Sequence, residues 1–468
     1  MAWIKKNVMN ILIWGTVLFF TGLYISLIFN HNIWTDEAFT LELIQGNLKE
    51  ITAGTANDVH PPFYYYYAKL FYTFFGLNLQ AQKIAAIIPM VLTLVIGATW
   101  VRKLFSDRAS LLFLLMLTCM PCSMEFAVQV RMYSLALLFV TLCGIGAYLS
   151  YTRGKIADWI LFAVSGALAA YTHYFAFVPV IIITGIFLLV LLFCNRKALK
   201  GWCLSAVVMI LMYLPWMKSF YIQITRVRES YWIPEITPQT IWSYFIWTFD
   251  TDLVPGVVYG FLLILFGTGI YNICRIIRKR QKEDVYALLC MLIPTFTALG
   301  GIIISLSRSP IYRDQYIFPS IALLALFFGI SMRNADKKIL IPVCAFLLFV
   351  GAIQYKECFR QEYRSTYVPQ TEAFFEENLT DEDYVVYNWE DFGFIYNFYF
   401  PHEQLRYLED FDFTENFQTV WFINSQYQPQ IDQALLDANG LSMELVGHYG
   451  IEHNEFDLYR IDRNEFTE

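Results

Sequence analysis

Apolar residues in this chain gather in long unbroken runs separated by short polar connections, rather than in the three-and-four or alternating spacings of half-buried helices and strands. The runs fall at 8–29, 83–101, 109–124, 133–151, 157–172, 175–194, 201–216, 255–274, 285–305, 317–332 and 339–352. A helix needs about 20 mostly apolar residues to cross a bilayer. The pattern therefore predicts an α-helical polytopic membrane protein with about eleven transmembrane helices, some at the short end of that range. Beyond residue 355 the pattern changes. Short β-rich runs at 384–387, 419–423, 443–446 and 457–461 alternate with helix-like stretches at 371–378 and 430–439. They predict a small soluble α/β domain at 356–468 following a transmembrane domain at 1–355.

Composition agrees: 57% hydrophobic residues, 16% charged residues and a mean hydropathy of +0.46 exclude an ordinary soluble protein of this length. Charge then orients the body. Basic residues cluster in alternate connections, at Lys5/Lys6, Arg102/Lys103/Arg108, Arg153/Lys155, Arg196/Lys197/Lys200, 275–282 and 333–338, which the positive-inside rule assigns to the cytoplasm together with the N-terminus. This parity holds only if the aromatic stretch 62–78 rests at the outer interface instead of crossing, a place suited to Tyr64–Tyr67. The outer face then receives the loop 30–82, the turn at Arg131, the His173/Tyr174 pair, the loop 218–254, the turn 308–314 and the tail. The tail holds 24 of the 40 acidic residues and 6 of the 33 basic ones, so neither part of the chain is built for nucleic acid. The first run is too long for a signal peptide and lacks a small-residue cleavage site, which predicts an uncleaved anchor. Nine scattered cysteines make no disulfide framework, and Cys119/Cys122 have CxxC spacing without a second pair.

Candidate chemistry lies in the first outer loop, which carries Trp34-Thr35-Asp36-Glu37-Ala38-Phe39 and then Asp58-Val59-His60-Pro61-Pro62. A structural reading exists for both: Thr35 as the N-cap of a helix whose first turn holds Asp36 and Glu37, and Asp58 as the cap of a turn before the prolines. The outer arginines Arg131, Arg308 and Arg313 favour a site, because charge at membrane depth is costly and a guanidinium cluster facing a carboxylate suits a phosphate group. Snorkelling to the headgroups is the alternative for each arginine taken separately.

The motifs Asp36-Glu37, His60-Pro61-Pro62-Phe63-Tyr64-Tyr65, Arg131-Met132-Tyr133-Ser134-Leu135 and Tyr171-Thr172-His173-Tyr174-Phe175, in this order up to about Pro319, resemble glycosyltransferase family 39. That is the protein O-mannosyltransferase and aminoarabinose-transferase group of the GT-C fold. The resemblance implies an inverting membrane glycosyltransferase that uses a polyprenyl-phosphate sugar donor, with Asp36 as general base and Glu37 beside it. It implies Asp58, His60, Arg131, Tyr133, His173, Tyr174, Arg313 and Tyr316 as substrate-binding residues, with Arg131 toward the carrier phosphate. Two positions depart from the family: Gln129 stands where an acidic residue is frequent, and Tyr312-Arg313-Asp314-Gln315-Tyr316 replaces an Arg-Tyr pair before a span.

The implied partners are the lipid-linked donor, the bilayer, and a protein, polymer or glycolipid acceptor. The active site and tail are expected outside a cell membrane. No cofactor is required, although Asp36, Glu37 and Asp58 have the chemistry to hold a divalent metal. Two other classes compete. A transporter or flippase for lipid-linked sugars would show paired halves and charges near the midplane; a sensor or scaffold would work through the tail.

Overall fold

The computed structural model describes residues 2–29, 33–229, 233, 235–251, 254, 256–307, 310–362, 367–425 and 428–464. The chain opens with the long helix α1 (Ala2–Ser26) and the short helices α2 (Thr35–Leu43), α3 (Leu48–Asn57) and α4 (Phe63–Phe75). Next come α5 (Leu79–Ile96), the single turn α6 (Arg102–Leu104), α7 (Asp107–Cys119), α8 (Pro121–Val128), α9 (Tyr133–Thr152), α10 (Ile156–Thr172) and α11 (Tyr174–Cys194). α12 (Leu199–Tyr213), α13 (Met217–Glu229), α14 (Pro238–Ile246), α15 (Val257–Lys279), α16 (Lys282–Ser307), α17 (Ile321–Met332) and α18 (Lys337–Glu362) complete the helical body. The tail holds α19 (Val368–Asn378), α20 (Gly393–Tyr399), α21 (Gln433–Ala438), and strands β1 (Tyr384–Tyr387), β2 (Leu405–Tyr407), β3 (Val420–Ser425), β4 (Leu441–Ile451) and β5 (Asn454–Arg463).

Each of the eleven apolar runs is helical. Among the described residues nine helices are long and apolar enough to cross a membrane, a bent pair makes a tenth, and the shorter α10 is also apolar. The run 109–124, expected as one span, is that bent pair: α7 and α8 meet at 73°. Pro121 sits at the first position of α8, where its missing N–H costs nothing, and Met120 before it takes extended backbone. The run 201–216 goes further than expected, since α12 continues through a 3₁₀ turn at Leu214–Trp216 into α13. α4 has only 13 residues and is too short to span.

The contacts divide the chain into two compact units, Met1–Ile28 with Asn47–Cys358, and Phe29–Gly46 with Phe359–Glu468. In the first, α9 and α17 are buried over most of their length, whereas α12 and α13 are almost bare, as helices facing lipid would be. Close approach needs small residues. A Cβ on Gly329 would lie 2.6 Å from the Ala109 carbonyl oxygen, so α17 meets the backbone of α7 directly. The basic connections are tied down by carboxylates: Arg102 to Asp107, Arg153 to Asp158, and both Arg275 and Arg333 to the fully buried Asp284. The cysteines are free thiols, with Cys119 and Cys122 both buried.

The second unit is a five-stranded sheet in the order β2-β1-β3-β5-β4, parallel over β2-β1-β3 and antiparallel over β3-β5-β4. Val386, Val420, Phe422 and Ile461 from the sheet pack with Phe411, Phe413, Phe417 and Leu436 to form its core. α2 packs on α20, with the rings of Phe39 and Phe394 5.3 Å apart and Asn397 Nδ2 donating to Glu42 Oε2 at 3.0 Å. These contacts group 29–46 with the tail rather than with the helices on either side of it in sequence.

Candidate active site

In the first unit the motif residues converge where α3, α4, α9 and α11 begin or end. α3 starts with Asn47, whose side chain accepts from the backbone N–H of Lys49 and Glu50 while Glu50 reaches back to the Asn47 N–H. It stops at Asp58, whose extended backbone (φ −87°, ψ −158°) leads into the turn before Pro61-Pro62. Inside that turn His60 Nδ1 lies 2.8 Å from Asp58 Oδ2. A carboxylate only accepts, so Nδ1 carries the proton of this bond.

Arg131, between α8 and α9, is 2% exposed. Its Nη1 donates to the hydroxyl of the buried Tyr65 on α4 at 3.4 Å. His173 caps α11: its Nδ1 accepts from the Phe175 N–H at 3.1 Å, which leaves the proton of the neutral ring on Nε2. Around this ring stand His60 at 5.7 Å, Tyr133 at 5.8 Å and Tyr316 at 5.3 Å between centroids. Phe175 stacks on Tyr316 at 4.5 Å and packs against Tyr312 at 5.4 Å. Tyr312 fits only because residue 301 is glycine, where a Cβ would come within 2.2 Å of the ring.

Electrostatics divide the two ends of the cluster. Burial pushes the Asp58 carboxyl up, but the charge and hydrogen bond of His60 and the charge of Arg131 outweigh it and hold the group below the usual carboxylate range. Burial, helped by the neighbouring His60 and Arg131, keeps His173 well below the ordinary histidine range and hence neutral. The cluster thus offers a charged guanidinium, an ionised carboxylate aligned on an imidazole, and a neutral imidazole among aromatic rings.

Asp36 and Glu37 belong to the second unit, in the first turn of α2. The N-cap there is Trp34, not Thr35, which is the first helical residue, and the buried Glu37 accepts from the Trp34 N–H at 3.2 Å. Tyr174 is half-buried; its hydroxyl donates to Gln223 Oε1 and accepts from Trp216 Nε1 at 3.0 Å. Arg313 is a third exposed, with Nε 4.0 Å from Asp314. Arg308 lies outside the described residues. Among those residues no three His, Cys, Asp or Glu side chains gather as a metal site would require, so no ligand set is assigned. Sequence reasoning missed Tyr65, Trp216 and Gln223. Tyr65 was quoted only as part of a motif, and nothing in the local pattern marks Gln223.

The helical membrane body and the small α/β unit belong to a chain with the GT-C fold, on its likeness to solved structures. Residues 59–217, which contain His60, Arg131, Tyr133, His173 and Tyr174, match the profile of the dolichyl-phosphate-mannose-protein mannosyltransferase family. Over nearly its whole length the chain is similar to ArnT from Cupriavidus metallidurans. The apo structure aligns with a TM-score of 0.68 at 14% identity, covering 97% of this chain and 98% of that one. The ArnT structure bound to undecaprenyl phosphate aligns with a TM-score of 0.67 at 14% identity and the same coverage. No curated protein matches the sequence.

Proposed function

We propose that this protein transfers a sugar from a polyprenyl-phosphate donor to an acceptor on the outer side of the membrane, with inversion at the anomeric carbon. The observation that carries the reading is the cluster of the buried Arg131, the Asp58–His60 pair and the neutral His173 among aromatic rings, inside the segment that matches a lipid-phosphate sugar transferase profile and beside it. The undecaprenyl phosphate bound to the structurally similar ArnT supports a polyprenyl carrier.

Breaking the bond between the sugar and the phosphate builds positive charge on the sugar and negative charge on the departing oxygen. A guanidinium stabilises that phosphate with directed, charge-assisted hydrogen bonds, and a desolvated one does so more strongly than an exposed one. Arg131 takes this role, with Tyr65 fixing its orientation. The leaving phosphate needs no proton, so one base suffices: it accepts the acceptor hydroxyl's proton as that oxygen attacks the face opposite the carrier. A positioned base contributes about 10²–10⁴-fold. Asp36 is assigned this role on the resemblance of Asp36-Glu37 to the family's first-loop motif. His60, held by Asp58, and the rings of Tyr133 and Tyr316 form the polar and apolar walls for the donor's head.

The test is transfer from radiolabelled polyprenyl-phosphate hexoses and aminosugars by purified protein, with membrane extract as acceptor and with Asp36→Asn and Arg131→Ala beside wild type. Transfer by wild type that both stably folded variants lose supports the reading. Donor binding and movement across vesicles without transfer would replace it with a flippase. Normal transfer by Asp36→Asn removes the base assignment alone.

A further inference from the structure

α13 does more than follow α12, because it supplies the hydrogen-bond donors that the end of α3 lacks. The last four carbonyls of a helix have no partner within it. Here Gln223 Nε2 donates to Thr55 O at 2.7 Å and Asp58 O at 2.8 Å, and Arg226 donates to Asn57 O. The arginine also places a cation at the helix C-terminus, where the dipole favours it. Gln223 is 2% exposed, and its Oε1 accepts from the hydroxyl of Tyr174, which Trp216 holds in turn. One side chain therefore joins the Asp58–His60 turn to the segment that carries His173.

Most of the other described side chains of α13 face outward, with Tyr221 72% exposed and Met217, Ile222 and Ile224 each more than 40% exposed, while Phe220 packs on Tyr174 and Phe177. The continuous helix Arg196–Arg226 has 31 residues, about 46 Å at 1.5 Å per residue, against a hydrocarbon core of about 30 Å. Its last turns consequently reach the headgroup layer, where an amphipathic helix beds its apolar side.

We propose that α13 is a clasp seated at the membrane surface and that Gln223 is a positioning residue: it fixes the Asp58–His60 turn and the His173–Tyr174 junction in one arrangement at the level of the lipid phosphate. This rests on the glycosyltransferase reading for its consequence in turnover but not for its structural content. Gln223→Glu keeps the acceptor for Tyr174 and loses the donors to the Thr55 and Asp58 carbonyls. Arg226→Lys keeps a cationic donor, whereas Arg226→Ala does not.

The experiment measures amide hydrogen exchange of residues 54–60 in detergent-solubilised full-length protein, together with kcat and donor KM. Exchange of that segment should rise at least about tenfold in Gln223→Glu, with exchange in α9 and α17 unchanged. kcat should fall about 10- to 100-fold while donor KM moves by less than about threefold, as expected when orientation rather than ground-state binding is lost. Arg226→Ala should follow in weaker form, and Arg226→Lys should restore both readouts. If Gln223→Glu fails to fold, Tyr174→Phe, which deletes only the hydroxyl that holds Oε1, carries the same test. Unchanged exchange at 54–60, or a loosened turn with unchanged kcat, overturns the proposal. Wild-type protein that transfers no sugar from any donor would sink the glycosyltransferase reading, and the exchange arm would still decide whether α13 clasps the turn.

Discussion

His60 holds the Asp58 carboxylate across the single intervening Val59, Nδ1 to Oδ2 at 2.8 Å, in a turn that ends one helix and precedes two prolines. The pair predicts an acid-side dependence. The folded carboxyl titrates below the ordinary range, so its stabilising contribution is full above the unfolded value of about 3.9 and is lost as pH falls through the lower folded value. His60→Asn removes the largest favourable influence on that carboxylate. The acid limb of both thermal stability and sugar transfer should therefore move to higher pH, and Asp58→Asn should abolish the movement. Profiles from pH 3 to 7 would show it, and an unshifted limb in His60→Asn counts against the pairing.

His173 is held neutral where Asp58 is held charged, and it too loses stability on acidification. Its buried ring resists protonation in the folded state, so the unfolded chain takes up the proton first. Stability should be constant above about pH 6.5 and decline as pH falls below it. Asn at 173 still accepts the capping bond from Phe175 yet has no charge to gain, so His173→Asn should flatten the decline. Leu at 173 loses the cap and should cost about 1 kcal/mol at pH 8. Thermal midpoints in detergent between pH 5 and 8 separate the two variants.

Gly301→Ala should damage the aromatic wall. The added carbon would lie 2.2 Å from the Tyr312 ring, which cannot yield because Phe175 and Tyr244 pack on it and the Tyr244 hydroxyl holds its carbonyl oxygen at 2.9 Å. Overpacking of this kind costs about 1–3 kcal/mol. Donor KM should rise as Tyr312 and Tyr316 are displaced. A substitution at Gly15, which has open space around its Cβ position, should change neither quantity.

Asp284 is fully buried between two guanidinium groups, with Arg333 Nη1 at 2.7 Å and Arg275 Nε at 3.2 Å. Asp284→Asn leaves two buried cations without a countercharge and should cost about 3–5 kcal/mol. Replacing all three residues with apolar ones of similar size should recover most of that loss. If the single and triple variants unfold at the same temperature in detergent, the stabilising role given to the triad fails.

Much of this architecture was legible as hydropathy. Every long apolar run became a helix, because lipid leaves the backbone no other way to satisfy its polar groups. The 73° break between Cys119 and Pro121 was not legible: apolarity says where a segment lies but not whether it is straight. In the tail, four strands were foreseen and β2 was missed, since three residues paired only through Val385–Leu405, Val386–Arg406 and Tyr387–Tyr407 leave no periodicity to detect. His60, Arg131 and His173 stood out as charged or polar residues beside apolar runs. Gln223 did not, because its importance comes from carbonyls more than 160 positions away. Trp34 takes the place expected of Thr35 as the α2 cap, and its backbone N–H is satisfied by Glu37 three residues on.

The contact between Glu42 and Asn397 spans 355 positions of sequence. On a ribosome, α2 emerges long before the strand–helix module it joins, so it waits for α20 while the whole helical body between them is made. The Trp34–Phe39 motif thus reaches its setting only after the apolar helices that follow it have been synthesised. A nascent chain can insert those helices and still lack that setting, which makes synthesis of the strand–helix module the condition for the second unit to assemble.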